Sequence, residues 1–416
     1  MERLVSALGF VVFLGIAYLA STNRRGVRWR TIGWGIALQV AVAIVILKTP
    51  FGFAVFSFVG TLVRRFLDFS DAGARMVFGD NFAEHLFAFK VLPTIIFVSS
   101  VMTLLYYFGV LQRVVQGIGW VMMKSMRTSG AESLCGAANI FVGQTEAPLF
   151  IRPYVPRLTQ SELHSVMTGG LATIAAGVMA VYISFGVPAV HLLAASVMAA
   201  PMALVMSKLI FPEDGEPETS GSARAEVERP WVNPVDAAAA GAVDGMKLAL
   251  NVAAMLIAFL AILALVNALL GWGGGLLGMP TLSLEWIFAR VFAPVAWLFG
   301  VPWADCGNVG VLVGKKIALN EFIAYADMKV WLDNAKTIAM GGAAAGSLTV
   351  LSDRAVVLAT YALCGFANIS SIAIQIGGIG GIAPNRQHDL ARLGVRALIA
   401  GTLTNFANAC IAGILL

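Results

Sequence analysis

Residues Cys135–Pro156 read CGAANIFVGQTEAPLFIRPYVP, and their reading decides the fold. Asn139, Gln144, Thr145 and Glu146 stand in the middle of an otherwise apolar run, and Arg152 follows Glu146 by six residues. The run is too short to cross a bilayer, which takes ~20 predominantly apolar residues. A carboxylate and a carboxamide at membrane depth are costly, and by default they mark a functional site. Irregular backbone around Gly143 and Pro148 is tolerated there only where it is buried in protein or lines a cavity. The stretch therefore predicts a re-entrant hairpin whose tip holds part of a polar substrate. The competing reading is a short core helix with a satisfied Glu146.

Composition agrees with a membrane setting. The 416 residues are 59% hydrophobic and only 12% charged, against about 25% charged in soluble proteins. The net charge of +5 is the Lys and Arg excess expected of cytoplasmic loops and carries no nucleic-acid signal. Cys135, Cys306, Cys364 and Cys410 sit singly in or beside apolar segments, without metal or redox spacing. The apolar run after Arg3 is longer than a signal-peptide core, and Arg24, Arg25, Arg28 and Arg30 follow it at once. It reads as a retained first span.

Apolar runs predict eight spans, at 4–21, 31–49, 86–111, 161–185, 187–211, 247–270, 354–376 and 396–416. The arginines at 24–30 place the first loop inside and both termini outside. Arg113, Lys124, Arg127, Arg152, Arg157, Arg386, Arg392 and Arg396 then all fall inside. Residues 50–83, where phenylalanines alternate with Arg64, Arg65 and Asp68, read as an interfacial helix on the outer surface, and 112–130 as its inner counterpart. Residues 213–229 read as a solvated loop. Gly241 and Gly245 form a GxxxG, on its own weak evidence for helix association.

A second hairpin is expected in Trp303–Tyr325, where Asn308, Lys315, Asn320 and Glu321 interrupt another short apolar stretch. Val142-Gly143 and Glu146 are answered by Val313-Gly314 and Glu321, and Ser161-Glu162 by Ser352-Asp353. Two spans follow each hairpin, and the topology orients the two units oppositely. That is the pattern of an inverted repeat, which holds substrate and coupling ion near the midplane. Span 354–376 contains Gly365, Asn368, Ser370 and Ser371, and Gln375 falls at its end. This predicts an unwound helix, with interhelical hydrogen bonding as the alternative. Thr168–Ile174 shows the same break more weakly.

GQTEAPL at 143–149, NEFIAY at 320–325 and CGFANISSIAIQIGG at 364–378 resemble the three signatures of the concentrative nucleoside transporters. The order of segments matches over almost the whole chain. The first motif is similar to that of the sodium-coupled branch; the proton-coupled bacterial branch carries Ser-Glu-Asn in place of Thr-Glu-Ala. The resemblance implies a homotrimer in a bacterial inner membrane, importing nucleosides on the sodium gradient by alternating access, with no other cofactor. It places Gln144, Thr145 and Glu146 on the nucleobase side, and Glu321, Asn368 and Ser371 at the ribose. Phe366 would lie against the base and Val178 would line the pocket. Sodium would be held by Asn139, Thr173 and the carbonyls of Val142 and Ile174. The family pattern has Ser where this chain has Thr173, which is still an oxygen ligand. In outline, 1–130 would be scaffold, 131–212 the first repeat, 213–280 a cytoplasmic loop and span 6, and 281–416 an outer interfacial helix and the second repeat.

The residue chemistry fits independently. A carboxamide offers both donor and acceptor to a base edge, and a carboxylate accepts two hydroxyl hydrogen bonds. An intramembrane enzyme is disfavoured, since there is no HExxH and His85, His164, His191 and His388 lack ligand spacing. Gly314-Lys315-Lys316 lacks the Gly and Ser/Thr of a phosphate loop, which argues against an ATP-driven pump. A proton-coupled symporter remains the alternative, and a channel is the more distant one.

Overall fold

The computed structural model describes residues 1–82, 86–221, 230–276, 278–279, 281–342 and 348–416; His85 and 222–229 of the expected loop lie outside them. The described residues form helices and turns, with no strand among them. In chain order the α-helices begin with α1 Glu2–Leu19, α2 Trp29–Lys48, α3 Pro50–Asp68, α4 Ser70–Phe78, α5 Leu92–Tyr107 and α6 Val110–Met126. Then come α7 Gly130–Ala138, α8 Gln160–Ala172, α9 Ala176–Ser184, α10 Ala189–Ile210 and α11 Pro234–Leu276. The remainder are α12 Leu284–Val291, α13 Ala293–Leu298, α14 Trp303–Ala318, α15 Glu321–Ala339, α16 Asp353–Leu363, α17 Ile369–Ile382 and α18 Gln387–Leu415.

Local chemistry sets several boundaries. Ser129 and Thr159 each accept the N–H three residues on, and Glu132 and Glu162 return the bond, so capping boxes start α7 and α8. Asn320, Ser352 and Asn368 cap α15, α16 and α17 in the same sense.

Hydrogen bonds define the two ends of the bundle. At one end Thr22 N–H donates to Ile210 O at 2.9 Å. Lys208 there pairs with Glu132 at 2.8 Å and Glu213 at 3.2 Å, and Thr159 Oγ1 donates to Glu213 at 3.0 Å. The start of α7 and the exit of its hairpin therefore share that end. At the other end Ser6 Oγ donates to Phe299 O at 2.7 Å, Arg354 Nη2 to Gly413 O at 2.8 Å, and Ser352 Oγ to Asp305 at 2.6 Å. Here α14 enters, and α15 returns, since Asn334 Nδ2 donates to Thr349 O at 2.9 Å. The two hairpins thus enter from opposite ends.

Their halves meet in the middle. Helix α8 stops at Ala172 and α9 begins at Ala176, while α16 stops at Leu363 and α17 begins at Ile369. Phe366 N–H donates to Thr173 O at 3.1 Å across the two breaks. Asn405 on α18 donates to both Ala172 O and Cys364 O, each at 2.7 Å. The described residues form a helical inverted repeat around this junction, with α8, α10 and the second half of α18 almost wholly buried.

Several expected bounds are corrected. The second hairpin does not close at Tyr325, because α15 runs on to Ala339. Span 354–376 is two pieces of 11 and 14 residues, and α18 begins nine residues before the expected 396. Gly314 is no counterpart of Gly143. It lies within α14, where a Cβ would sit 2.3 Å from the Phe288 ring, whereas Gly143 lies at the first hairpin's tip. Likewise the cap matching Ser352 is Thr159, two residues before Ser161.

Helix α11 has 43 residues instead of the expected 24-residue span. At 1.5 Å per residue it is about 65 Å long, twice the ~30 Å hydrocarbon thickness. Its first buried stripe is Ala237, Gly241, Gly245 and Ala249, one turn apart. A Cβ at Gly245 would lie 2.7 Å from Ile96 Cα, so the GxxxG is the close seam with α5.

Among the described residues eight stretches are long and apolar enough to cross a membrane, and Pro50–Phe78 is one of them. Its packing keeps it at one end nonetheless. Midway along α3, a Cβ at Gly60 would lie 3.3 Å from Ala189, in the first turn of α10. Ser70 and Asp71 then reach Thr94 and Lys90 at the start of α5.

Candidate functional site

The hairpin tips and the helix breaks place their polar side chains around a cavity of about 180 Å³. Gln144, Thr145, Glu146, Val178, Glu321, Phe366, Asn368 and Ser371 all line it, together with Asn320, Ser370 and Ile374. One wall is different in kind: Leu248, Val252, Met255 and Leu256 of α11 are wholly apolar. A second cavity of about 380 Å³ shares Glu146, Ala175 and Leu248 and extends to Arg152, Pro230 and Trp231. The site therefore adjoins a passage toward the end at which the first hairpin enters.

A chain of hydrogen bonds organises the polar side. Gln144 Nε2 donates to Ser371 Oγ at 3.3 Å, and Asn368 Oδ1 accepts the Ser371 N–H at 2.9 Å as the cap of α17. Asn368 Nδ2 then donates to Glu321 Oε2 at 3.1 Å, and Tyr182 Oη to Glu321 Oε1 at 3.0 Å. Both carboxylate oxygens are thereby aimed, and each keeps lone pairs for further donors. Glu146 Oε2 accepts the Gly143 N–H at 3.1 Å, which folds the first tip back on itself. Gln144 Oε1 is buried with no partner among the described residues, an acceptor of the sort a ligand donor would satisfy.

Close backbone approach admits these side chains. A Cβ at Gly170 would lie 2.8 Å from Gln144 Cβ and 2.6 Å from Gln375 Nε2, and one at Gly378 would lie 2.4 Å from Thr145 Cγ2. A side chain at either glycine would force these neighbours to shift.

The residues expected at a cation converge beside the cavity. Asn139 is the C-cap of α7 and Thr173 the C-cap of α8, and both meet Gly169. Thr173 Oγ1 donates to Gly169 O at 2.9 Å, and a Cβ at Gly169 would lie 2.9 Å from Asn139 Nδ2. Asn139 Oδ1 is buried without a partner, and no donor meets the carbonyls of Val142 or Ile174 among the described residues. Neutral oxygens at the negative end of a helix are suited to a hard monovalent cation. The donor set fits sodium.

Three functional candidates escaped the sequence reading, and a fourth, Gln375, is noted there without a role. Tyr182 looks like a core aromatic, and only its bond to Glu321 sets it apart. Gln375 is buried, donates to Met167 O at 3.0 Å and leaves Oε1 unpartnered. Lys316 and Asn405 are fully buried polar groups amid apolar sequence, and that was the available signal.

Three family descriptions cover the chain almost end to end. "Na+ dependent nucleoside transporter N-terminus" matches residues 8–81, "Nucleoside recognition" 88–189, and "Na+ dependent nucleoside transporter C-terminus" 191–413. Solute carrier family 28 member 3 of Homo sapiens is 45% identical over 417 residues, which are 100% of this chain and 60% of that protein. Sodium/nucleoside cotransporter 1 of Rattus norvegicus is 45% identical over 426 residues, 100% of this chain and 64% of that one. The chain thus spans less than two thirds of these relatives' length. CNTnw in an inward-facing substrate-bound state superposes with a TM-score of 0.91 at 40% identity, covering 100% of this chain and 98% of that one. A doubly substituted CNTnw in an outward-facing state gives 0.93 at 40% identity, over 100% and 99%. The chain belongs to the Na+-dependent nucleoside transporter family.

Proposed function

We propose that this chain is a secondary active symporter that imports nucleosides, driven by sodium, through alternating access. The observation that carries the proposal is the cavity itself. Both hairpin tips and both helix breaks supply its polar side, and α11 its apolar side. In this reading Gln144, Thr145 and Glu146 face the nucleobase, and Phe366 and Val178 bound it. Glu321, Asn368 and Ser371 meet the ribose, whose vicinal hydroxyls suit a carboxylate held by Tyr182 and Asn368. Sodium lies at Asn139, Thr173 and the carbonyls of Val142 and Ile174, where it orders the first tip against α8. Ion and nucleoside then stabilise the same arrangement, which is the physical content of coupling.

The repeats at 131–212 and 281–416 would move as a body past scaffold residues 1–130 and 213–280. An apolar wall on α11 suits this, because it can slide past the polar side without breaking hydrogen bonds. Helix α11 and α1 leave much of their apolar surface exposed, consistent with lipid and with contacts in a homotrimer of the inner membrane. The test is uptake of labelled uridine into proteoliposomes with sodium and pH varied separately. Concentrative uptake that follows sodium is expected. Uptake driven by a pH gradient alone would transfer the coupling role to Glu146 or Glu321, and uptake without concentration would identify a channel.

A further inference from the structure

Three lysines are buried among the described residues, and they are of two kinds. Lys208 pairs with Glu132 and Glu213, and Lys315 with Glu285 and Asp327. Lys316 is fully buried and forms no ion pair among the described residues. Its Nζ instead donates to Ala362 O at 2.9 Å and to Asn405 Oδ1 at 2.6 Å. A buried ammonium normally takes a carboxylate partner. Lys316 has one amide oxygen and one main-chain carbonyl, the ligand types that the first repeat offers to sodium.

The position corresponds as well. In the first repeat α7 delivers Asn139 to the last turn of α8, beside its C-cap Thr173. In the second repeat α14 delivers Lys316 to Ala362, in the last turn of α16, beside its C-cap Cys364. Both places lie at the negative end of a half-helix. Asn405 joins them, since its amide donates to Ala172 O and Cys364 O while its oxygen receives Lys316.

We propose that Lys316 is a tethered cation that occupies, in the second repeat, the place sodium takes in the first, and so limits the carrier to one coupling ion. The inference rests on the sodium reading above. A tethered ammonium cannot leave, so α14, α16 and α18 stay organised throughout the cycle. The first repeat is organised only while its ion is bound. This asymmetry confines ion dependence to one half of the site.

Sodium-dependent uptake and the charge moved per uridine decide the matter, measured for the unaltered protein, Lys316→Ala and Lys316→Met. The unaltered protein should show a sodium Hill slope of about one and about one charge per uridine. Lys316→Ala leaves a cation-sized space among the same oxygens, so its Hill slope should rise toward about two. Lys316→Met fills the space without charge and should lose uptake at every sodium concentration. The inference is overturned if Lys316→Met keeps the parent sodium dependence, or if an assembled Lys316→Ala keeps a slope of about one. Should neither variant assemble, about two charges per uridine in the unaltered protein overturns it, and about one supports it. Sodium-independent uptake would instead overturn the functional reading on which the inference stands.

Discussion

Glu321 is the residue on which most of the site's polar order converges. Tyr182 and Asn368 each hold one of its oxygens, so it is positioned before any ligand arrives. If ribose hydroxyls complete its shell, 2′,3′-dideoxyuridine leaves a buried charged acceptor underused, which costs ~1–3 kcal/mol or more. The dideoxynucleoside should therefore compete with uridine uptake at least about fivefold more weakly, since 1.4 kcal/mol is tenfold. Free uracil should compete poorly for the same reason. Equal competition by uridine and its dideoxy form would sink the ribose assignment. The neighbouring glycines separate ion from substrate. Gly169→Ala would push on Asn139 and Gly170→Ala on Gln144. The first should shift the sodium concentration for half-maximal uptake and lower nucleoside affinity by the same factor, because coupling is reciprocal. The second should weaken nucleoside affinity directly, and titrations of uptake against each solute distinguish the two.

Among the elements, the pairing of α5 with α11 depends on absent side chains. A Cβ at Gly241 would lie 2.6 Å from Thr103 Oγ1 and 2.8 Å from Ser100 Cα, whereas one at Gly271 would meet nothing within 4 Å. Gly241→Leu should therefore force the helices apart and destabilise the protein by about 1–3 kcal/mol, as overpacking does. Gly271→Leu should be neutral. Thermal unfolding in detergent reads both, and an unchanged melting point for Gly241→Leu would show that the seam contributes nothing. The broken helices follow a different logic. No proline stands at either break, and Asn405 from α18 satisfies a carbonyl freed at each one.

For the whole molecule, the decisive feature is that two similar units enter from opposite ends and meet at their breaks. Arg3 Nη2 donates to Leu416 O at 2.6 Å, so the first helix begins where the last one ends. Cysteines introduced as Glu2→Cys and Leu415→Cys should accordingly react with an impermeant thiol reagent from the same side, the outer one. Labelling from opposite sides would overturn both the eight-span count and the opposed repeat. Labelling of both from the inside would invert the assignment made from the arginines at 24–30 while leaving the fold intact.

The sequence by itself determined the membrane class, the two hairpins and the two unwound segments. The membrane class follows from composition, and the hairpins and breaks from the cost of a polar residue in hydrocarbon, which is local to the residue and its immediate neighbours. It also named the residues around the cavity, through motifs whose side chains lie within a few positions of one another. Tertiary structure alone decided which distant groups support them. Tyr182 is 139 positions from Glu321, Lys316 is 89 from Asn405, and Asn405 is 233 from Ala172. Apolar periodicity carries no information about such pairings, because a buried tyrosine or asparagine reads the same whether it packs or positions. The length of α11 and the lie of α3 were hidden for a related reason. Both are apolar enough to cross, and only packing against α5 and the first turn of α10 decides what their surfaces meet.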